Sequence, residues 1–202
     1  MSTHADLDAV KAVAAGCRRC LLWKDATQTV FGEGPSDASL VFVGEQPGDK
    51  EDIAGHPFVG PAGVVFDNAL RDARIPRAEI YVTNAVKHFK NEMRGKRRLH
   101  KRPDPHEIKI CRSWLAEEIR LIKPRVVVAL GATAGFSLMG RAVTIHSSRR
   151  KEFTSPEGYH VAITTHPSAI LRQIDDAARE RTYAQLVEDF VWIKKWEHKL
   201  AN

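Results

Sequence analysis

A chain of 202 residues, 43% hydrophobic and 28% charged, can bury a sizeable core and has the composition of a soluble globular protein. No apolar run approaches the roughly 20 residues that cross a bilayer, and the amino terminus, MSTHADLDAVKAVAAG, lacks the pattern of a secretory signal. The net charge of +6 is local: Lys87 to Arg102 holds eight Lys or Arg against Glu92, so that segment carries +7 and the rest −1, which points to phosphate as partner.

Taken in order, residues 5–15 suit a short helix leading into Cys17-Arg-Arg-Cys20. With Cys111 far downstream, three cysteines make no disulfide framework in a cytoplasmic protein, which is the compartment expected here. Thr27 to Ser39 is turn-rich and closes on Leu40-Val-Phe-Val43, a buried strand. Gly44 to Gly60 follows, with four Gly and two Pro among carboxylates, an amide and an aromatic. Ordinary strand-to-helix connections span about 2–6 residues. This longer one, at the carboxyl end of a strand, reads as an active-site loop.

Val65, Phe66, Ala69 and Leu70 recur at helical spacing over 62–73, and 79–83 reads as a second strand ending in Asn84-Ala-Val-Lys-His88. Residues 89–103 hold Gly95 and no apolar periodicity, which predicts an exposed basic loop. Pro105 opens a helix to about Ile122, and 125–130 is the clearest strand. Gly131-Ala-Thr starts the next helix, and 143–153 holds a basic turn at Arg149-Arg150-Lys151. The fourth strand, 160–164, ends in Thr165-His166-Pro167-Ser168, and an amphipathic helix covers 175–199. The alternation predicts one α/β domain over 1–202, a three-layer α/β/α sandwich around a mainly parallel four-stranded sheet. Successive parallel strands present their carboxyl ends on one edge, so Glu45, Gln46 and Asp49 should converge with Asn84, His166 and Ser168.

GEQPGD after the first strand, PFVGPAG, TNAVKH after the second and THPS after the fourth resemble the uracil-DNA glycosylase superfamily. The Cys17-x-x-Cys20 opening is similar to the iron–sulfur family 4 branch, and Lys96-Arg-Arg-Leu-His100 with Gln46 resembles its UdgX subgroup. Members of that subgroup excise uracil and stay covalently joined to DNA through a histidine of a KRRIH-like loop. The likeness spans Cys17 to Ser168. Two departures from ordinary family 4 stand out, Gln46 for Ala and His88 for a fourth Cys, and the loop carries Leu99 where the subgroup has Ile.

The resemblance implies a role for each residue. Asn84 would read the O4 and N3–H of a flipped uracil, since an amide donates and accepts at once. Phe58 would stack on the base, His166 would hydrogen-bond O2 as charge develops, and Asp49 is a lesser helper. Glu45 would act as acid/base or cation stabiliser and hold His100 neutral, while Gln46 would orient sugar or nucleophile. His100 would capture C1′ of the sugar cation in place of water, helped by an effective molarity of up to about 10⁵–10⁸ M. Lys96, Arg97, Arg98, Lys101 and Arg102 would hold the DNA backbone, with Ser168 capping a helix or binding phosphate.

Cys17, Cys20 and Cys111 make three-quarters of a metal site, with His88 the nearest fourth ligand and His56, His106 and His146 less well placed. Spacing does not choose between Zn²⁺ and a cluster; the resemblance implies [4Fe–4S] in a structural role. The expected partner is uracil-containing DNA, single- or double-stranded, bound by a monomer with no membrane role. Two rival readings stand beside this one, a multiple-turnover uracil-DNA glycosylase and a non-catalytic iron–sulfur protein that binds damaged DNA.

Overall fold

Alternate residues of each central strand enter different cores, and that period of two builds the layers. In β1 (Leu40–Gly44), Leu40 and Phe42 join one apolar cluster while Val41 and Val43 join another. In β5 (Val126–Leu130), Val126, Val128 and Leu130 face the first cluster, and Val127 and Ala129 the second. A strand with two buried faces must be covered twice, as the continuous apolar run implies.

The computed structural model describes residues 3–202, with side chains from Asp6; Met1 and Ser2, the first residues of the amino-terminal reading, lie outside it. Before β1 come α1 (Thr3–Ala15) and a single 3₁₀ turn at Leu21–Lys24. After it come α2 (Asp49–Ala54), α3 (Pro61–Asp72), β2 (Tyr81–Asn84), the hairpin β3 (Asn91–Arg94) and β4 (Arg97–His100), and α4 (Pro105–Ile122) ahead of β5. The chain ends in α5 (Ala132–Met139), α6 (Ile145–Ser148), β6 (Phe153–Thr154), β7 (His160–Thr164), α7 (Ser168–Leu171) and α8 (Asp176–Ala201). Helices α3 and α8 cover one face through Phe66, Leu70, Leu186 and Phe190. The other face receives Leu115 and Ile119 of α4, Leu138 of α5 and Leu7 of α1.

The main sheet has the order β2-β1-β5-β7-β6. Its first four strands are parallel, and the two-residue β6 adds an antiparallel edge. The predicted α/β sandwich is therefore present, with five strands rather than four. No described helix is long and apolar enough to cross a membrane.

The segment 89–103 departs from the expected loop. It folds as a two-stranded antiparallel hairpin with Asn91 opposite His100 and Arg94 opposite Arg97. Gly95, at φ 62°, begins its two-residue turn. The strands NEMR and RRLH carry no apolar alternation because their partner is a polar surface, so hydrophobic period gave no signal. Residues two apart share a face, which turns Arg98 and His100 toward the body together.

Candidate active site

The carboxyl ends of β1, β2, β5 and β7 enclose one cavity of about 1040 Å³, lined by Glu45, Gln46, Phe58, Asn84, Thr133 and His166, with His100 arching over from the hairpin. The three strand-end groups expected to converge thus all contribute to one pocket. Asp49 and Ser168 line it too.

Asn84 is only 4% exposed, yet its side-chain amide makes no hydrogen bond with any described residue; only its backbone carbonyl is used, by Lys87 Nζ at 2.8 Å. The residue lines the cavity, where its amide can offer both a donor and an acceptor to a ligand edge. It comes close because position 44 is glycine: a Cβ there would lie 2.3 Å from Asn84 Oδ1 and 2.9 Å from Phe58 Cζ. Phe58 is itself held at φ 59°, a left-handed backbone that costs a residue with a side chain roughly 1–2 kcal/mol. Its ring lies 4.8 Å from that of Phe66 and 6.4 Å from the nearly parallel ring of His166.

His166 is a neutral donor. Its Nδ1 accepts the Ser168 backbone N–H at 3.1 Å and lies 2.8 Å from Ser168 Oγ. The one hydrogen of the neutral ring is then on Nε2. Burial pushes its pKa down to about 4, and the charges of Arg172 and His100 act in the same direction.

The hairpin meets the loop after β1 through Gln46. The Lys90 backbone N–H donates to Gln46 Oε1 at 3.0 Å, which fixes which end of the amide is nitrogen. That nitrogen donates to Lys101 O at 2.9 Å and to Lys90 O at 3.3 Å, and lies 3.0 Å from His100 Nε2. The two hydrogens of that amide are matched by the two carbonyls, and the His100 ring packs beside it. Glu45 Oε1 sits 3.4 Å from His100 Nε2, and Glu45 Oε2 accepts the Thr133 hydroxyl at 2.5 Å. Gln46 and Glu45, the residue expected to hold His100 neutral, thus both lie beside His100 Nε2.

The basic segment is not a run of free cations. Lys87 is fully buried, 2.6 Å from the equally buried Glu118, so it does not belong to the surface charge counted from the sequence. Lys90 pairs with Glu107 and Asp104, and Lys101 with Glu92. Arg98 binds Asp49 at 2.7 Å and the buried Asp52 at 2.5 Å, so Asp49 and Arg98 fasten the hairpin to α2. Arg102 Nε donates to Thr133 Oγ1 at 3.2 Å. Lys96 and Arg97 are exposed at and beside the turn. Sequence reasoning missed Thr133 and Glu51. Thr133 follows β5, the one strand end from which no site residue was drawn. Glu51 closes the long loop by accepting from Gly48 and Gly60 N–H at 3.1 and 2.8 Å.

Cys17, Cys20 and Cys111 lie in one apolar cluster with Leu22, Phe31 and Trp114. Trp114 Nε1–H donates to Cys17 Sγ and the Lys87 backbone N–H to Cys111 Sγ, each at 3.2 Å. Burial raises the Cys20 thiol and pushes that of Cys111 up to about 12. His88 Nε2 lies 3.0 Å from Thr29 Oγ1, and burial lowers its pKa. The three cysteines thus share one cluster, and two of their sulfurs accept N–H donors. Among the described residues, however, no three His, Cys, Asp or Glu are gathered as a metal-holding group, His88 and the other histidines included.

The model of the uracil DNA glycosylase superfamily matches residues 31–191. The chain is 37% identical to the type-4 uracil-DNA glycosylase of Thermotoga maritima over 180 residues, 89% of this chain and 90% of that protein. It is 35% identical to the type-4 enzyme of Pyrobaculum aerophilum over 83% of this chain and 86% of the relative. With that of Archaeoglobus fulgidus the identity is 33%, over 82% and 83%. The strand-end cavity, the family match and relatives covering most of both chains lead to one assignment: this chain belongs to the uracil DNA glycosylase superfamily.

Proposed function

We propose that this protein excises uracil from DNA and is then captured on the abasic site through His100, as a UdgX-type member of its superfamily. The Asn84 amide, lining the strand-end cavity, carries the base-reading part of the proposal. It offers a donor and an acceptor beside Phe58 and a neutral His166, a set that suits the N3–H, O4 and O2 of one flipped uracil. Type-4 relatives of this length favour the same substrate.

In the proposed reaction the C1′–N1 bond breaks with its electron pair going to uracil N1, and His166 Nε2–H stabilises the charge that spreads to O2. The Glu45 carboxylate supports the cationic sugar. The lone pair of His100 Nε2 forms a bond to C1′, giving an imidazolium that loses its Nδ1 proton to solvent, while the uracil anion gains a proton. The alkylated ring is a poor leaving group, so the adduct persists. Support for capture comes from His100 sharing the cavity with Glu45 and Gln46, its Nε2 3.4 Å from the carboxylate and 3.0 Å from the amide. Lys96, Arg97, Lys101, Arg102 and Ser168 would meet DNA phosphates, with Arg98 holding the hairpin that carries them.

Cys17, Cys20 and Cys111, with His88 as fourth ligand, would hold a [4Fe–4S] cluster that ties the amino terminus to the turn after β2 and to α4, a structural role. The deciding experiment mixes the protein with a uracil-containing oligonucleotide and runs a denaturing gel. The expected result is a shifted, heat- and SDS-resistant band that His100→Ala abolishes. Free abasic product in excess over enzyme would instead identify a multiple-turnover glycosylase. No uracil release in a single turnover would leave only a DNA-binding protein.

A further inference from the structure

His166 owes its tautomer to Ser168, and Ser168 is itself held from outside the cavity floor. Arg172 Nη1 donates to Ser168 Oγ at 2.9 Å, four residues back along the one-turn helix α7. The same hydroxyl lies 2.8 Å from His166 Nδ1. A hydroxyl has one hydrogen and two lone pairs. With the guanidinium occupying its oxygen, the hydroxyl hydrogen is directed at the imidazole, which already accepts the Ser168 backbone N–H. Nδ1 thus faces two donors, and a proton there would meet both. Arg172 is also unlike its neighbours at the rim: Arg98 and Arg149 are ion-paired, whereas Arg172 makes no ion pair among the described residues.

We propose that Arg172 is a positioning residue, holding the Ser168 hydroxyl on His166 Nδ1 so that the ring stays neutral and offers Nε2–H to the leaving base. The inference rests on the uracil-excision reading of this cavity and adds to it a residue that touches neither base nor sugar. Its positive charge works in the same direction as its hydrogen bond. Glu45 on the β1 side, Asp49 on α2, His100 on β4, Arg102 ahead of α4, and His146 and Arg149 at α6 line the same cavity. Of these, His100 joins Arg172 in disfavouring a charged His166, after burial.

The test compares the full chain with Arg172→Gln and Arg172→Lys. ¹⁵N-histidine spectra, with the His166 signal assigned from its loss in His166→Gln, follow the ring through its titration. Single-turnover release of uracil from an oligonucleotide is followed over the same pH range. Arg172→Gln should raise the His166 titration from about 4 toward the ordinary value of about 6.5. The acid limb of the excision profile should move up with it, and Arg172→Lys, which keeps charge and donor, should stay near the parent. A His166 titration unmoved in Arg172→Gln overturns the proposal. So does an unmoved titration with a salt dependence of DNA binding shallower by about 0.7–0.9, the mark of one lost phosphate contact. Absence of uracil release by the parent protein would overturn the excision reading instead, and the spectra would still decide the role of Arg172.

Discussion

Arg98 Nη1 lies 2.5 Å from Asp52 Oδ2, joining the middle of the hairpin to a carboxylate that solvent does not reach. Asp52 has one other donor, the Thr27 N–H at 3.0 Å. Replacing Arg98 by Ala leaves a buried carboxylate without its counter-charge, a change that costs about 3 kcal/mol in comparable settings. The loss should be concentrated in the hairpin. Amides of residues 91–100 should exchange with solvent faster in Arg98→Ala, and adduct yield should fall more than uracil release, because His100 shares the face of Arg98. Hairpin exchange equal to that of the parent would show that Asp52 does not anchor this element.

Gln46 makes the second attachment, at the hairpin root. Gln46→Ala removes the donor to Lys101 O, the contact with His100 Nε2 and the acceptor of the Lys90 N–H. The hairpin root would then no longer hold the His100 ring against the loop after β1. We expect at least a tenfold slower adduct formation, equivalent to about 1.4 kcal/mol, with uracil release reduced far less. Equal losses in both steps would place Gln46 in base excision rather than in capture.

The sheet was legible because its strands are short apolar runs punctuated by Gly and Pro, and β1 and β5 fall within a residue of their expected limits. The convergence of Glu45, Asn84 and His166 followed from parallel topology alone. The hairpin was not legible, since NEMRGKRRLH docks through Arg98, Gln46 and Asn91 rather than through an apolar face. Nor was the fate of Lys87. Composition counts a lysine as surface charge, and only the three-dimensional meeting of β2 with α4 reveals Glu118 beside it. Thr133 was hidden for a simpler reason: a hydroxyl at a helix start reads as a cap.

The Lys87–Glu118 pair offers a stability test independent of DNA. Glu118 also accepts from Tyr81 Oη, Thr83 Oγ1 and Gly32 N–H, and Lys87 Nζ also donates to Thr83 Oγ1 and Asn84 O. Lys87→Met strands a buried carboxylate and should destabilise by about 3–5 kcal/mol. Adding Glu118→Gln removes the charge and should recover part of that loss. Urea unfolding of the two single variants and the double variant gives the coupling. Additive losses would mean that the two charges do not depend on each other.

The proposed cluster predicts a coloured protein. Purified without oxygen, the chain should contain iron and acid-labile sulfide, and Cys111→Ser should lose both. His88→Cys should retain them, because it supplies a thiolate at the proposed fourth position. Iron loss should speed hydrogen exchange around Leu22, Phe31 and Trp114, which pack against the cysteines. A colourless protein containing zinc would assign the same thiols to a different metal.

His166 makes stability depend on pH with a defined sign. Its folded-state pKa of about 4 lies below the ordinary value near 6.5, so between these limits the unfolded chain binds more protons. Stability from the neutral ring is therefore complete above about pH 6.5 and is lost progressively as pH falls toward 4, by up to about 3 kcal/mol. His88, also lowered by burial, acts in the same sense, so the contribution of His166 must be isolated by difference. Urea unfolding at pH 7 and pH 4.5 should show a steeper decline for the parent than for His166→Gln, which has no titrating ring. Parallel declines would mean that the folded His166 titrates near its ordinary value and that burial does not hold the ring neutral.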